Sequence, residues 1–426
     1  PCIDGITIQD EPKITANMKI IYNGENSINS IDNNPNSEHR IGIEIRGFSH
    51  RGFSKKQFSI ELQDGTIAAP QVKDKEKSYS LFCDGFKPEP GKDYGSLCAF
   101  PFEEDFVLLG PYRDRAMMKN ALAYQMWREL DYGRPNINTK YIELIINGKY
   151  KGVYVFMEKV KLGKNRVNLG QSTEKYTSIE EDNGDMVILK VESGAEQEFF
   201  VSHDGHTKYE YYEPEISDMT ATDMVDIQNT VYEFEDSLFK RYRDSTMYLD
   251  YINVSDFTDY MLIQELALNR EGYTRSHYWY WDASCYSKED ITDCENNNYW
   301  NGKMRCGWHP GDTDAGVDPY CHPRLFVGPV WDFNHAYGGF DSIVDDWAYE
   351  AYSLFQAGVY KLYYGPEASH IGDYTLEEAP SSAQSSNCLW VNNFTEDYIR
   401  PIYQQYRQTE VFSLEWLSDY IETVYK

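Results

Sequence analysis

Asn147-Gly148, set between the alternating runs Tyr141 to Ile146 and Lys151 to Met157, commits this chain to an antiparallel sheet. A two-residue turn of that composition accepts positive φ at both positions, which suits the right-handed twist of paired strands. The same period of two recurs upstream, from Met18 to Tyr22 and from Ile41 to Ile45, with an Asn/Ser-rich turn between. It recurs again in Phe58, Ile60 and Leu62, where Lys56 falls on the apolar face and Lys55 points the other way. Asp105 to Gly110 reads as a further short strand. A single helix interrupts this pattern between Tyr112 and Trp127, with Met118, Leu122, Met126 and Leu130 at helical spacing and Asp114 as its cap.

The second half mixes the two periods. Asp185 to Val191 alternates, Tyr-rich strands follow to about Ser217, and Ala221 to Phe239 is helical. Asp256 to Leu268 is helical too, with Phe257, Tyr260, Met261 and Ile263 as its buried stripe, as are Glu396 to Arg407 and Leu414 to Tyr425. Tyr278 to Trp281 is a buried aromatic strand. The run Gly328-Pro329-Val330-Trp331-Asp332-Phe333-Asn334 buries Val330 and Phe333 and holds Asp332 at a strand end. The expected class is α+β, in two lobes with disulfide-bound insertions: residues 1–180, mostly β with one helix and an insertion at about 63–104, and residues 181–426, mixed, with an insertion at about 283–325.

Composition narrows the setting. Lys plus Arg 40 against Asp plus Glu 69 gives a formal charge of −29, which opposes nucleic acid as a partner. No apolar run is long enough to span a bilayer. Eight cysteines, at 2, 83, 98, 285, 294, 306, 321 and 388, include no Cys-x-x-Cys and favour disulfides over zinc. Cys83 with Cys98 and Cys306 with Cys321 flank short Gly/Pro-rich loops. Asn253-Val254-Ser255 and Asn393-Phe394-Thr395 are glycosylation acceptor triplets. The chain starts at Pro1 without a Met, as a processed N-terminus does, and the expectation is a secreted, extracellular glycoprotein that is a monomer.

Two weaker ligand patterns have plainer readings. His203-Asp204-Gly205-His206 reads as a turn, for want of a third metal ligand at a suitable spacing. Asp312, Asp314 and Asp318 have the chemistry of calcium ligands without the Glu and Gly placement of an EF-hand.

The residues with sharper chemistry fall in the order of a kinase. A lysine on the apolar face of a strand needs an anion, and a facing Glu fixes such a lysine against the phosphates of ATP; Lys56 and Glu158 are the candidates. Asn269-Arg270-Glu271 leads to Ser276, an acid followed five positions later by a polar metal ligand, as in a catalytic loop. Asp332 then has the place of the metal-holding Asp of Asp-Phe-Gly. The plain readings are a surface ion pair for the first and a turn-capping Asp for the last.

Taken as an ordered set these residues resemble the CotH family of spore-coat and atypical secretory kinases. The pieces are Arg46-Gly47 through Lys55-Lys56-Gln57-Phe58, Lys119-Asn120-Ala121-Leu122-Ala123-Tyr124, Asn147-Gly148-Lys149-Tyr150-Lys151-Gly152-Val153-Tyr154 through Glu158-Lys159, Lys164-Asn165-Arg166-Val167, Asn269 to Ser276, and Gly328 to Phe333. The resemblance implies a kinase-like fold that binds ATP with Mg or Mn and phosphorylates hydroxyls of a secreted or surface protein. It implies nucleotide contacts from Arg46, Lys56 and Glu158, metal contacts from Asp332, Ser276 and Asn334, and Glu271 as catalytic acid/base. Glu271 stands where the family usually has Asp, and Asn334 where it often has Asp. One methylene moves a carboxylate by about an ångström, enough to cost on the order of a hundredfold in rate. A pseudokinase acting as an adhesin, coat or carbohydrate-binding protein is the alternative, the last drawing on 36 Tyr and 9 Trp.

Overall fold

The computed structural model describes residues 7–23, 27–47, 49–63, 100, 103–130, 134–163, 166–167, 186–192, 197–202, 207–239, 251–269, 271–282, 323–337, 401, 403–404, 406 and 413–425. All eight cysteines, His203 to His206, Asp312, Asp314, Asp318, Lys164, Asn165 and Asn393 lie outside them, as does most of both expected insertions. The elements are α+β, as the alternation of periods requires, and the chain divides into two compact units.

The first unit comprises residues 1–117 and 137–160. Its strands β1 (Ile14–Ile20), β2 (Ser37–Arg46), β3 (Gln57–Gln63), β4 (Asp105–Leu109), β5 (Thr139–Ile146) and β6 (Lys149–Glu158) form one sheet in the order β1-β2-β3-β4-β6-β5. Every pairing is antiparallel. Asn147 and Gly148 take φ of 51° and 70°, the paired left-handed turn that lets Ile146 face Lys149 across the hairpin. Phe58, Ile60, Leu62, Phe106, Leu108 and Phe156 pack into its core together with Phe100, whose ring meets Phe106 and Phe156 edge-on at 5.9 and 5.3 Å.

The second unit comprises residues 118–136 and 161–426. Its helix α1 (Lys119–Leu130) begins five residues after Asp114. Met117, at φ 57°, breaks the helical path, and its N–H closes a turn on the Asp114 carbonyl at 3.1 Å, so Asp114 does not cap this helix. The helix expected in the first lobe thus belongs to the second unit. Strands β7 (Met186–Val191), β8 (Phe199–Val201), β9 (Lys208–Glu213), β10 (His277–Asp282) and β11 (Arg324–Val327) form a sheet ordered β11-β10-β7-β9-β8. Helices α2 (Ala221–Phe239), α3 (Val254–Ala267), the short α4 (Glu271–Thr274) and α5 (Leu414–Tyr425) belong to the same unit.

Helix α3 is set by its ends. Asn253 Oδ1 accepts the Asp256 N–H at 3.0 Å, and Leu268 closes the helix in the left-handed region at φ 48°. Asn253 is only 1% exposed, so the acceptor position of its triplet is enclosed as a cap in the folded chain. Against α3, Trp127 stands edge-on to Tyr260 at 6.3 Å and gives its indole N–H to Pro135 O at 2.9 Å. Arg134 stacks over Trp127 at 4.1 Å while pairing with buried Asp259, which keeps both charges compensated.

Candidate active site

In the second unit the antiparallel pairing of β10 with β11 brings the segment entering the first strand beside the segment leaving the second. Trp279 faces Val327, and Gly328 N–H donates to Tyr278 O at 3.0 Å. β11 stops at Val327, so Asp332 lies five residues past the strand rather than at its end. The break is steric and conformational. Gly328 takes φ 116°, and a Cβ there would come within 2.6 Å of Trp127 Cζ2. Val330 and Phe333 are fully enclosed and anchor the turn on either side of Asp332.

Helix α1 then clamps the turn with polar groups. Asn120 Oδ1 accepts the Phe333 N–H at 2.8 Å, and Asn120 Nδ2 donates to Asn334 Oδ1 at 3.1 Å. Asn334 Nδ2 in turn donates to Asp332 Oδ1 at 2.5 Å. Lys119 Nζ reaches Ala336 O at 2.6 Å. The Asn334 backbone also hydrogen-bonds the Asp332 carboxylate, so Asn334, itself held by Asn120 of the helix, sets its orientation.

The electrostatics around it are those of crowded anions. Burial pushes the Asp332 carboxyl up to about 6, and the charges of Glu271 and Glu192 push in the same direction against the Asn334 hydrogen bond. His277, at the start of β10, is pushed down to about 4 by burial. Glu271 sits in α4, ion-paired with Arg275 one turn on, and His335 Nε2 lies 3.8 Å from its other oxygen. Ser276 Oγ donates to Glu192 Oε2 at 3.4 Å. Ser276 and Asp332 occupy left-handed backbone at φ 57° and 56°, a sparsely populated conformation for residues with a Cβ. Asn269, 0% exposed, has neither amide atom hydrogen-bonded among the described residues.

Asp332, Asn334, Ser276 and Glu192 offer oxygen, the ligand chemistry of Mg and Mn, and a cation would relieve the repulsion that raises Asp332. A second oxygen cluster lies in the first unit, where Glu103, Glu104 and Asp105 place their carboxylates within 4.8 Å of one another.

The first unit places the expected nucleotide residues apart. Phe58 stands opposite Leu108 and Glu158 opposite Phe106, so Lys56 is four residues from the Glu158 row, about 13 Å along the strands. Glu158, 1% exposed, accepts from Asn138 N at 2.8 Å and Asn138 Nδ2 at 3.0 Å. Lys56 turns its ammonium to the Arg51 carbonyl, and Arg46 closes β2 opposite Gln57.

Of the residues singled out from sequence, Asn334 bonds Asp332, Glu271 lies close enough to act on its charge, and Ser276 reaches it only by way of Glu192; Asn120, Glu192 and His335 are not singled out. Asn120 carries a legible signal, a polar residue among apolar positions on a helix. Glu192 carries none, since its place follows only from β7 lying beside β10. A family model described as CotH kinase protein matches residues 43–426. No curated protein matches the chain.

Proposed function

This chain belongs to the CotH kinase family, and on that premise we propose that it is a secreted kinase that binds ATP with Mg or Mn and phosphorylates protein hydroxyls. The observation that carries the reading is the Asp332 carboxylate, aimed from left-handed backbone, clamped through Asn334 and Asn120, and crowded by Glu271 and Glu192. Asp332, Asn334 and Ser276 would hold the cation, which when bound would supply neutralising charge to the phosphates. Arg46, Lys56 and Glu158 are the residues proposed from family position to serve the nucleotide.

Glu271 takes the proton of the acceptor hydroxyl as its oxygen attacks the γ-phosphorus. The bond from phosphorus to the β,γ-bridging oxygen breaks and ADP leaves. Arg275, one helical turn on, pairs with the Glu271 carboxylate and sets its orientation. The same ion pair favours a second reading, a pseudokinase that binds nucleotide without transfer, because a base tied to a guanidinium must be released to act.

Thermal shift with ATP and Mn, compared with either alone, tests the binding. Equal melting temperatures in all three would remove it. Label transfer from γ-phosphate separates kinase from pseudokinase. In a kinase Glu271→Gln loses transfer and keeps nucleotide binding, and Glu271→Asp retains or raises it. Restoration of transfer by Glu271→Asp in an otherwise silent chain identifies the pseudokinase. Secretion is tested by the unreduced mass, with at most two free thiols expected; mostly free thiols would refute it.

A further inference from the structure

Helix α3 supports both of the segments on which the proposed chemistry depends. At its C-terminal end the Ala267 carbonyl accepts the Tyr337 N–H at 2.5 Å, which ties down the chain that follows Asp332 and Asn334. Three residues earlier the Gln264 carbonyl accepts the Asn269 N–H at 2.8 Å, and the Asn269 carbonyl accepts the Gly272 N–H at 3.3 Å. Glu271 lies inside that short arc.

Two side chains of α3 then hold the arc from beneath. Tyr260 and Gln264 are four residues apart and share a face of the helix. The Tyr260 hydroxyl donates to the Gly272 carbonyl at 2.7 Å, and its ring is braced by Trp127 and His277, each at 6.3 Å. Burial pushes the Tyr260 phenol up, so the hydroxyl keeps the proton it donates. Gln264 presses on the same residue from its side chain: a Cβ at Gly272 would come within 2.3 Å of Gln264 Oε1 and 2.5 Å of its Cδ. An exposed glutamine would turn aside, but Gln264 is 0% exposed and has nowhere to go. Glycine is required at 272 by this close approach, which seats the backbone beside Glu271 directly on α3.

The partners of the Glu271 carboxylate cannot do the same work. Arg275 follows α4 directly and moves with it, and His335 Nε2 stands 3.8 Å away. A helix of four residues is a single turn, too short to hold its own place. Its position is set from α3, which is 14 residues long and closed at both ends.

We infer that Tyr260 and Gln264 are positioning residues for Glu271: acting through the Gly272 backbone, they set the base at a fixed reach from Asp332, whose own segment is tied to the same helix at Ala267. The inference rests on the reading of Glu271 as the base and adds the residues that place it. Both lie beneath the loop and act only through it.

The test uses the full chain with ATP and Mn, following label from the γ-phosphate to dephosphorylated casein and to water. Rates are expressed per ATP-binding site from a titration of each variant, so that unfolded chain does not count. Tyr260→Phe removes one hydroxyl and lowers kcat by about tenfold, while KM for ATP and the Mn-dependent thermal shift stay within about twofold and unchanged respectively. Gly272→Ala forces the loop off Gln264 and costs on the order of a hundredfold in kcat. Gln264→Ala added to Gly272→Ala opens the space again and recovers about tenfold, a rescue that a general loss of stability would not give. Tyr260→Phe as fast as wild type, a loss confined to KM for ATP, or a double variant no faster than Gly272→Ala overturns the inference and leaves Glu271 standing as the base. A wild type that binds ATP and transfers to neither acceptor overturns both.

Discussion

The two units solve opposite problems with their polar groups. In the first, the sheet is continuous and antiparallel, and strand pairing alone sets the rows on which its side chains lie, with the pair Lys55 and Lys56 just before β3. In the second, the polar groups sit on irregular joints between elements, with Ser276 and Asp332 both in left-handed backbone. A strand fixes a side chain through its neighbours on the ladder, whereas a joint fixes one only if other elements hold it. Asn120 on α1 does that for Asp332, and the cost of the joint is an arrangement that a small substitution can undo.

The largest effect that bears on this contrast is at the joint. Asp332→Asn removes the whole metal-dependent part of ATP-induced stabilisation, because the amide cannot neutralise a divalent cation. Thermal shift with ATP, with and without Mn, reads it; an unchanged Mn increment places the cation elsewhere, with Glu103, Glu104 and Asp105 next to examine.

The next largest effect tests what the joint is built on. Gly328→Ala meets Trp127 at 2.6 Å and strains a backbone at φ 116°, and it should destabilise the protein by about 3 kcal/mol in denaturant unfolding. In the first unit Gly148→Val, at φ 70° with open space around its Cβ position, carries backbone strain alone and should cost about 1.5 kcal/mol. A larger loss at Gly148 than at Gly328 would reverse the comparison.

The smallest effect concerns charge. The Asp332 carboxyl titrates at about 6 in the fold against an ordinary 3.8, so the folded chain binds this proton more tightly than the unfolded one. The stability it contributes is present below 3.8 and lost as pH rises through 6, about 1 kcal/mol once the solvent access of its half-buried side chain is allowed for. Unfolding of metal-free protein across that window reads the slope, and Asp332→Asn should flatten it. A steeper loss in the variant would show that Asp332 is stabilised as an anion.

The elements were legible in the sequence to the degree that they are local. The hairpin at Asn147-Gly148, α2 from Ala221 to Phe239 and α5 from Leu414 to Tyr425 follow from turn chemistry and period alone. The start of α1 was not, because Asp114 has the composition of a cap, and only the left-handed Met117 shows that the helix begins at Lys119.

The two lysines mark the limit most closely. Extending the period of two backward from Phe58 puts Lys56 on the apolar face, yet β3 begins at Gln57, and alternation has no hold on residues before it. Lys55 is the one that crosses to Tyr154, in the space that Gly110 and Gly152 leave. What the sequence by itself determined was the kinds of group, a carboxylate behind an apolar run, an acid before an aromatic strand and a lysine pair before an alternating one. Tertiary structure alone decided which of them meet. Asn120 and Asn334 are 214 positions apart, and Glu192 and Ser276 are 84. Contacts of that separation depend on which strands pair and which helix packs, and periodicity within a segment carries no information about its neighbours in space.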